Sequence, residues 1–185
     1  MGIRPYKIGF DFGDTIAAAD NQIGQRLRMS DDPNFLNRPA VPNAFESIKK
    51  LVELFGPDNA FIVSRCSEAG EKKIMAWLYY HSFWEQTGMK RENIRFCRER
   101  NQKGAICAER GITHFVDDRL ECLVGMDTVP HRCRLSNEPP DKEIPYFEAP
   151  TFGHYKPQSG NTMPILAGKS WPEVHDYIVR FSMNP

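Results

Sequence analysis

The chain has no CxxC pair, and its five cysteines, Cys66, Cys97, Cys107, Cys122 and Cys133, are odd in number and irregularly spaced. That excludes a zinc knuckle and a disulfide framework and leaves reduced thiols, mostly in the core. No run approaches the roughly 18 apolar residues needed to cross a bilayer, which excludes a membrane-embedded protein. The N-terminus, MGIRPYKIGFDFGD, begins basic but meets acids after a very short apolar run, unlike a secretory signal. The expected compartment is therefore the cytoplasm. Net charge is missing as well: 24 Lys plus Arg balance 24 Asp plus Glu, so no overall field attracts nucleic acid, and only a local basic patch is left open. Internal repeats and low-complexity tracts are absent.

What is present is the make-up of a soluble globular domain, 41% hydrophobic and 26% charged. A length of 185 residues suits one domain with a sizeable core, so residues 1–185 are read as a single unit. Apolar runs alternate with amphipathic stretches of helix length, a pattern that predicts a mostly parallel sheet covered by helices on both faces. The expected strands are KIGFDF, AFIVS, NIRFC, THFVDD and PHRCRLS. Between them, PNAFESIKKLVELFG spaces Phe45, Ile48, Leu51, Val52 and Phe55 as a helix, with Asn43 as cap and Gly56 as stop. SEAGEKKIMAWLYYHSFWE is expected as a second helix with Ile74, Trp77, Leu78 and Phe83 inward, and NQKGAICAERG as a third, closed by Gly111.

Two stretches break the alternation. Residues 17–42 are polar and proline-bearing and are expected as a loop or small flap over the site, with at most one helical turn. Residues 136–164 are rich in proline and glycine and are expected as a long functional loop. Order returns with ILAG and SWPEVHDYIVRF, where Ser170 and Glu173 have capping-box spacing.

In a doubly wound sheet, ligands gather beyond the carboxyl ends of the strands, where strand order reverses. The first strand ends in Asp11, the second in Ser64, and the fourth in Asp117 and Asp118, while Lys103 opens the helix leading into the fourth. An acid, a hydroxyl, a lysine and a paired acid thus converge on one rim. Asp-Phe-Gly at 11–13 is also the kinase magnesium motif, but none of the kinase elements that precede that motif occurs here. The bland alternative for each acid is a turn or helix cap at a strand end, and for Ser64 a cap of the next helix. Lys103 could equally belong to a solvated basic stretch with Arg98 and Arg100.

Taken in order, these residues resemble the motifs of the haloacid dehalogenase-like superfamily of magnesium-dependent phosphohydrolases, over about residues 6–135. FDFGDT is similar to its DxDGT motif, with Asp11 as nucleophile and Thr15 as the threonine. Ser64 in FIVS matches the second motif, Lys103 the lysine, and Asp117-Asp118 in HFVDD the terminal acid pair. The resemblance implies a three-layer α/β/α Rossmann-like fold without a large cap domain, since the gaps between motifs are short. It implies an aspartyl-phosphate formed on Asp11, with Ser64 and Lys103 in contact with the phosphoryl group. It further implies magnesium held by Asp11, the Gly13 carbonyl and the 117–118 pair, with Asp118 favoured for direct contact.

One departure matters. The family's second aspartate, which protonates the leaving oxygen, is Gly13 in this chain, a loss that should cost about 10²- to 10⁴-fold in rate. On an extended chain residues 11 and 13 share a face and Asp14 points away, so Asp14 replaces the acid only if the loop is re-threaded. The readings left open are a phosphatase for good leaving groups, a related phosphotransfer that needs no acid, and a catalytically impaired protein that binds a phosphorylated ligand or a protein partner. Arg65 and Arg119, beside site residues, are candidates for contact with a substrate anion, Arg65 the stronger. An uncapped site implies a bulky or macromolecular substrate, or closure by the domain's own loops or by another subunit, which leaves a homo-oligomer open. The five histidines lack ligand spacing, and Cys66 has no histidine nearby in sequence to activate it.

Overall fold

The structure, a computed structural model, describes residues 6–18, 31–136, 146–148, 153–155 and 165–182. Eight strands form one sheet in the order β3-β2-β1-β4-β5-β8-β7-β6. These are β1 (Ile8–Phe10), β2 (Ala60–Arg65), β3 (Ile94–Cys97), β4 (His114–Asp117), β5 (His131–Leu135), β6 (Tyr146–Glu148), β7 (Gly153–Tyr155) and β8 (Ile165–Gly168). The six strands from β3 to β8 across the sheet are parallel, and β7 and β6 add antiparallel to the β8 edge. The mostly parallel sheet agrees with the pattern of buried apolar runs.

Among the described residues six α-helices cover it: α1 (Ala44–Phe55), α2 (Glu68–Tyr80), α3 (Phe83–Thr87), α4 (Gln102–Arg110), α5 (Leu120–Val124) and α6 (Trp171–Ser182). On one face Ile8, Phe10, Ile62, Val116 and Cys133 pack against Ile48, Leu51 and Val52 of α1, Ile74, Trp77 and Leu78 of α2, and Trp171, Val174 and Ile178 of α6. On the other, Phe61, Val63 and Phe115 meet Cys107 of α4 and Leu120 and Leu123 of α5. Two apolar layers separated by one sheet make the expected α/β/α sandwich.

Several local expectations need correction. The stretch 67–85 is two helices, because Ile74, Trp77 and Leu78 define a stripe whose next positions are 81 and 82, and Phe83 would fall on the opposite side of a continued helix. Breaking the helix buries both rings. Ser82 turns the chain at φ +50, and the His81 ring stacks on Trp77 with centroids 4.1 Å apart. Asn43 precedes α1 in the left-handed region, at φ +63, and makes no side-chain cap. At α6 the capping pair is shifted: Ser170 Oγ accepts from the Glu173 N–H at 3.5 Å, while the Glu173 carboxylate accepts from the Lys169 N–H rather than that of Ser170. The stretch 136–164 carries β6 and β7, a strand pair that widens the sheet where a structureless loop is expected.

Residues 31–41 lie against α2. The Trp77 indole N–H donates to the Arg38 carbonyl at 2.9 Å and Lys73 Nζ to the Asp32 carbonyl at 2.8 Å. Asp32 is buried and pairs with Arg38 at 2.6 Å; the Asn34 N–H and the Arg38 guanidinium hold its carboxyl below the usual range despite burial. This stretch also pairs with the chain leaving β1, through Ala18 N–H to the Pro39 carbonyl and Val41 N–H to the Ile16 carbonyl. Residues 19–30, the centre of the expected flap, lie outside the described residues. No helix among the described residues is long and apolar enough to cross a membrane.

Candidate active site

Strand order reverses between β1 and β4, and the crevice there is the expected place for a ligand. Asp11 extends β1 by one residue, since its N–H donates to the Val116 carbonyl at 2.9 Å. The chain then leaves the sheet in a tight turn, with the Ile16 and Ala17 N–H groups both donating to the Phe12 carbonyl and Asp14 N–H to the Ala17 carbonyl. Asp14 takes the left-handed conformation at φ +55. The extended geometry that would aim Asp14 away from the site therefore does not hold beyond Asp11, and its charge is felt at Asp118.

Lys103 is the hub. Its Nζ lies 2.8 Å from an Asp11 oxygen and 2.6 Å from an Asp117 oxygen, with only 2% of the side chain exposed. Burial opposes the charge, but the two carboxylates raise the ammonium pKa well above the usual lysine value. α4 can present this lysine because Gly104 approaches the turn after α5: a Cβ there would sit 2.6 Å from the Gly125 carbonyl oxygen. The turn before α4 is fixed by the Gln102 side chain, whose oxygen accepts from the Arg98 and Glu99 N–H groups.

The two acids of the pair differ. One Asp117 oxygen takes the Lys103 bond and the other accepts from the Arg119 N–H at 2.9 Å, so both are occupied. Asp118 has a buried Oδ1 with no hydrogen-bond partner among the described residues, and the Arg119 Nε is 4.0 Å from its other oxygen. Burial, together with the neighbouring charges of Asp117, Asp11 and Asp14, pushes the Asp118 carboxyl up to about 8. Asp11, Asp117 and Asp118 each offer a carboxylate oxygen, all within 4.8 Å of one another. Asp11 and Asp117 share Lys103 while Asp118 stands beside them without it, a concentration of carboxylates that a hard divalent cation with oxygen ligands would relieve.

Of the other expected residues, Ser64 is the last but one of β2, beside β1, and almost fully buried. Thr15 is wholly buried, with its Oγ1 unpartnered. A Cβ on Gly13 would meet no atom within 4 Å. Arg65 is exposed and lines a cavity outside the cluster. Cys66 carries a thiol pushed up to about 12, chiefly by burial, which suits an inert core residue.

Two supporting residues escaped the sequence reading. The Trp171 indole N–H, at the start of α6, donates to the Thr15 carbonyl at 2.7 Å across 156 positions of chain. Nothing local in the sequence signals that bond. Arg134 on β5 donates through Nε to the Asp118 carbonyl at 3.2 Å. Its signal was legible: a strand reading HRCRL puts two arginines into a buried parallel sheet, where charge needs a purpose.

Among solved structures the chain is similar to that of a candidate haloacid dehalogenase-like hydrolase from Burkholderia xenovorans, at 12% identity and a TM-score of 0.55, over 95% of this chain and 98% of that one. The fold is haloacid dehalogenase-like. No family model matches the sequence, and no curated protein matches it. At this identity the likeness reaches the haloacid dehalogenase-like fold alone, so the chemistry has to be argued from this chain's own residues.

Proposed function

We propose that the chain is a magnesium-dependent phosphohydrolase or phosphotransferase that works through Asp11. The observation that carries this reading is the buried Asp11–Lys103–Asp117 chain beside an Asp118 oxygen with no protein partner. A buried lysine between two carboxylates is costly unless it serves a further charge, and an orphaned buried oxygen calls for a ligand. Asp11, Asp118 and the Gly13 carbonyl would hold magnesium. Asp117, with both oxygens occupied, would instead orient Lys103. Magnesium bound there would neutralise charge on the phosphoryl oxygens.

Asp11 attacks phosphorus in line, forming an aspartyl-phosphate as the P–O bond to the leaving group breaks; water then hydrolyses the acyl phosphate and restores the carboxylate. Lys103 offsets the charge between the carboxylate and the phosphoryl group, and the Ser64 hydroxyl and the loop holding Thr15 complete its cradle. With glycine at position 13, no side chain there protonates the leaving oxygen, so substrates whose leaving group departs as a stable anion are favoured.

The same glycine supports a second reading, a protein that binds a phosphorylated ligand without turning it over. Turnover of p-nitrophenyl phosphate and acetyl phosphate separates the two. The expected result is magnesium-dependent hydrolysis that Asp11→Asn removes. Magnesium binding, read as a rise in melting temperature, with no hydrolysis of either compound would favour the second reading.

A further inference from the structure

We propose that the substrate carries a second anionic group, a phosphate or carboxylate, on a short hydroxylated carbon skeleton, and that Arg65 and Arg100 hold it. This deepens the phosphohydrolase reading and rests on it.

A cavity of about 340 Å³ is lined by Arg65, Glu99, Arg100 and Asn101, at the lower end of the range for small-molecule sites. Both of its walls continue into the cluster around Asp11. One wall is Arg65, directly after Ser64. The other is the turn before α4, where the Lys103 N–H donates to the Arg100 carbonyl at 3.2 Å. Strand register fixes the distance between the two sites. Phe10 pairs with Ile62, so Asp11 lies level with Val63 and Arg65 stands two residues further along the neighbouring strand. With a rise of about 3.3 Å per residue and about 4.8 Å between strands, the two Cα atoms are roughly 8 Å apart. The two-residue period turns both toward the α4 face. A molecule of three or four carbons spans that gap.

The charges also select the ligand. Arg98 is engaged by Glu71 at 2.6 Å, Arg119 by Glu121 at 3.3 Å, and Arg134 by the Asp118 carbonyl. The Arg65 side chain makes no ion pair or hydrogen bond with the described residues, and among them the Arg100 side chain is held only by Glu121, at 3.8 Å, with 43% of it exposed. A guanidinium presents a fork of donors that matches a carboxylate or phosphate in bidentate fashion. Two such groups face one carboxylate, Glu99, which would repel an anion but accept a hydrogen bond from a hydroxyl. The Asn101 amide can do either. One anion with hydroxyls on the linking carbons satisfies all four residues. A long polyanion would have to pass Glu99 with no other basic residue lining the cavity.

The test is calorimetric titration of the full chain carrying Asp11→Asn, with magnesium, so that binding is read without turnover. Glycerol 3-phosphate supplies one anion, 3-phosphoglycerate adds a carboxylate, and glycerol 1,3-bisphosphate adds a phosphate. At least one of the last two should bind about tenfold tighter than the first, the scale of one added charge-assisted contact, and the tighter of them identifies the second anion. Adding Arg65→Gln and Arg100→Gln, both exposed positions, should bring that ratio close to one. Equal affinities, no binding, or a ratio that survives the double substitution overturns the proposal. So does tighter binding of a 5′-phosphorylated oligothymidylate than of any small ligand. Hydrolysis of p-nitrophenyl phosphate by the unsubstituted protein is measured separately: its absence with the tenfold preference intact removes the phosphohydrolase reading and leaves the anion site standing.

Discussion

Glycine at position 13 sets the chemical limit of this site. A Cβ there would meet no atom within 4 Å, so a side chain can start from this position without displacing a neighbour. Gly13→Asp is expected to raise turnover of alkyl phosphates by about 10²- to 10⁴-fold, the range for positioned acid catalysis, and to do much less for acetyl phosphate. Steady-state kinetics on the two substrates check this; an equal change in both would show that proton donation is not what the glycine removes. The Trp171–Thr15 bond is the second residue-scale test. Trp171→Phe leaves a buried carbonyl without its donor and a gap in the core, so it should cost about 2 kcal/mol or more in urea unfolding and lower turnover as well. Unchanged turnover in a destabilised protein would limit the indole to a packing role.

At the scale of elements, the placement of Lys103 depends on how closely α4 approaches the end of α5. Gly104→Ala would drive a methyl group into the Gly125 carbonyl, which is backbone and cannot swing aside. A loss of about 1–3 kcal/mol is expected from the urea midpoint, as for other overpacked sites. A neutral result would mean that α4 slides freely. The parallel strands β1 to β5 and the helices α1 and α4 were legible because each carries a buried face whose period is set by its own geometry, whereas ILAG, the parallel strand β8, was read only as a return to order. The break between α2 and α3 was hidden because neither His81 nor Ser82 is a residue that forbids a helix, and only the burial of Phe83, on the far side of a continued helix, rules one out. β6 and β7 were hidden because three-residue strands near a sheet edge take their order from the strand beside them, β8 for β7 and β7 for β6, rather than from their own sequence. Asp11 and the 117–118 pair could be read from their places at strand ends, and Lys103 from its place at the start of the helix that leads into β4. Trp171 and Thr15 could not, since a side-chain bond across 156 residues leaves no mark on either segment.

For the whole molecule, the end of the sheet opposite the acids holds a pH-sensitive feature. The rings of His114 and His131 stack 4.3 Å apart at the starts of β4 and β5, with the Phe55 ring 5.0 Å from His114. Burial, with a smaller push from His131, lowers the His114 pKa to about 3 from an ordinary 6.5. Between those values the unfolded chain takes up a proton that the folded chain refuses. Stability is therefore complete above about pH 6.5 and falls as the solution is acidified, by about 1.4 kcal/mol per pH unit down to about pH 3. Urea unfolding of wild type and His114→Gln between pH 7 and pH 4 should show the wild-type slope steeper by close to one proton. Parallel slopes would show that this imidazole is not buried in neutral form.

The bond from α6 back to the first turn also bears on synthesis. A ribosome adding roughly 5–20 residues per second needs about 10–30 s to pass from Thr15 to Trp171. Once Asp118 has been added, for about the last third of that interval, a nascent chain carries every acid of the cluster, yet the turn beneath them has no indole to fasten it. Competence for ligand should therefore arrive late in translation and all at once.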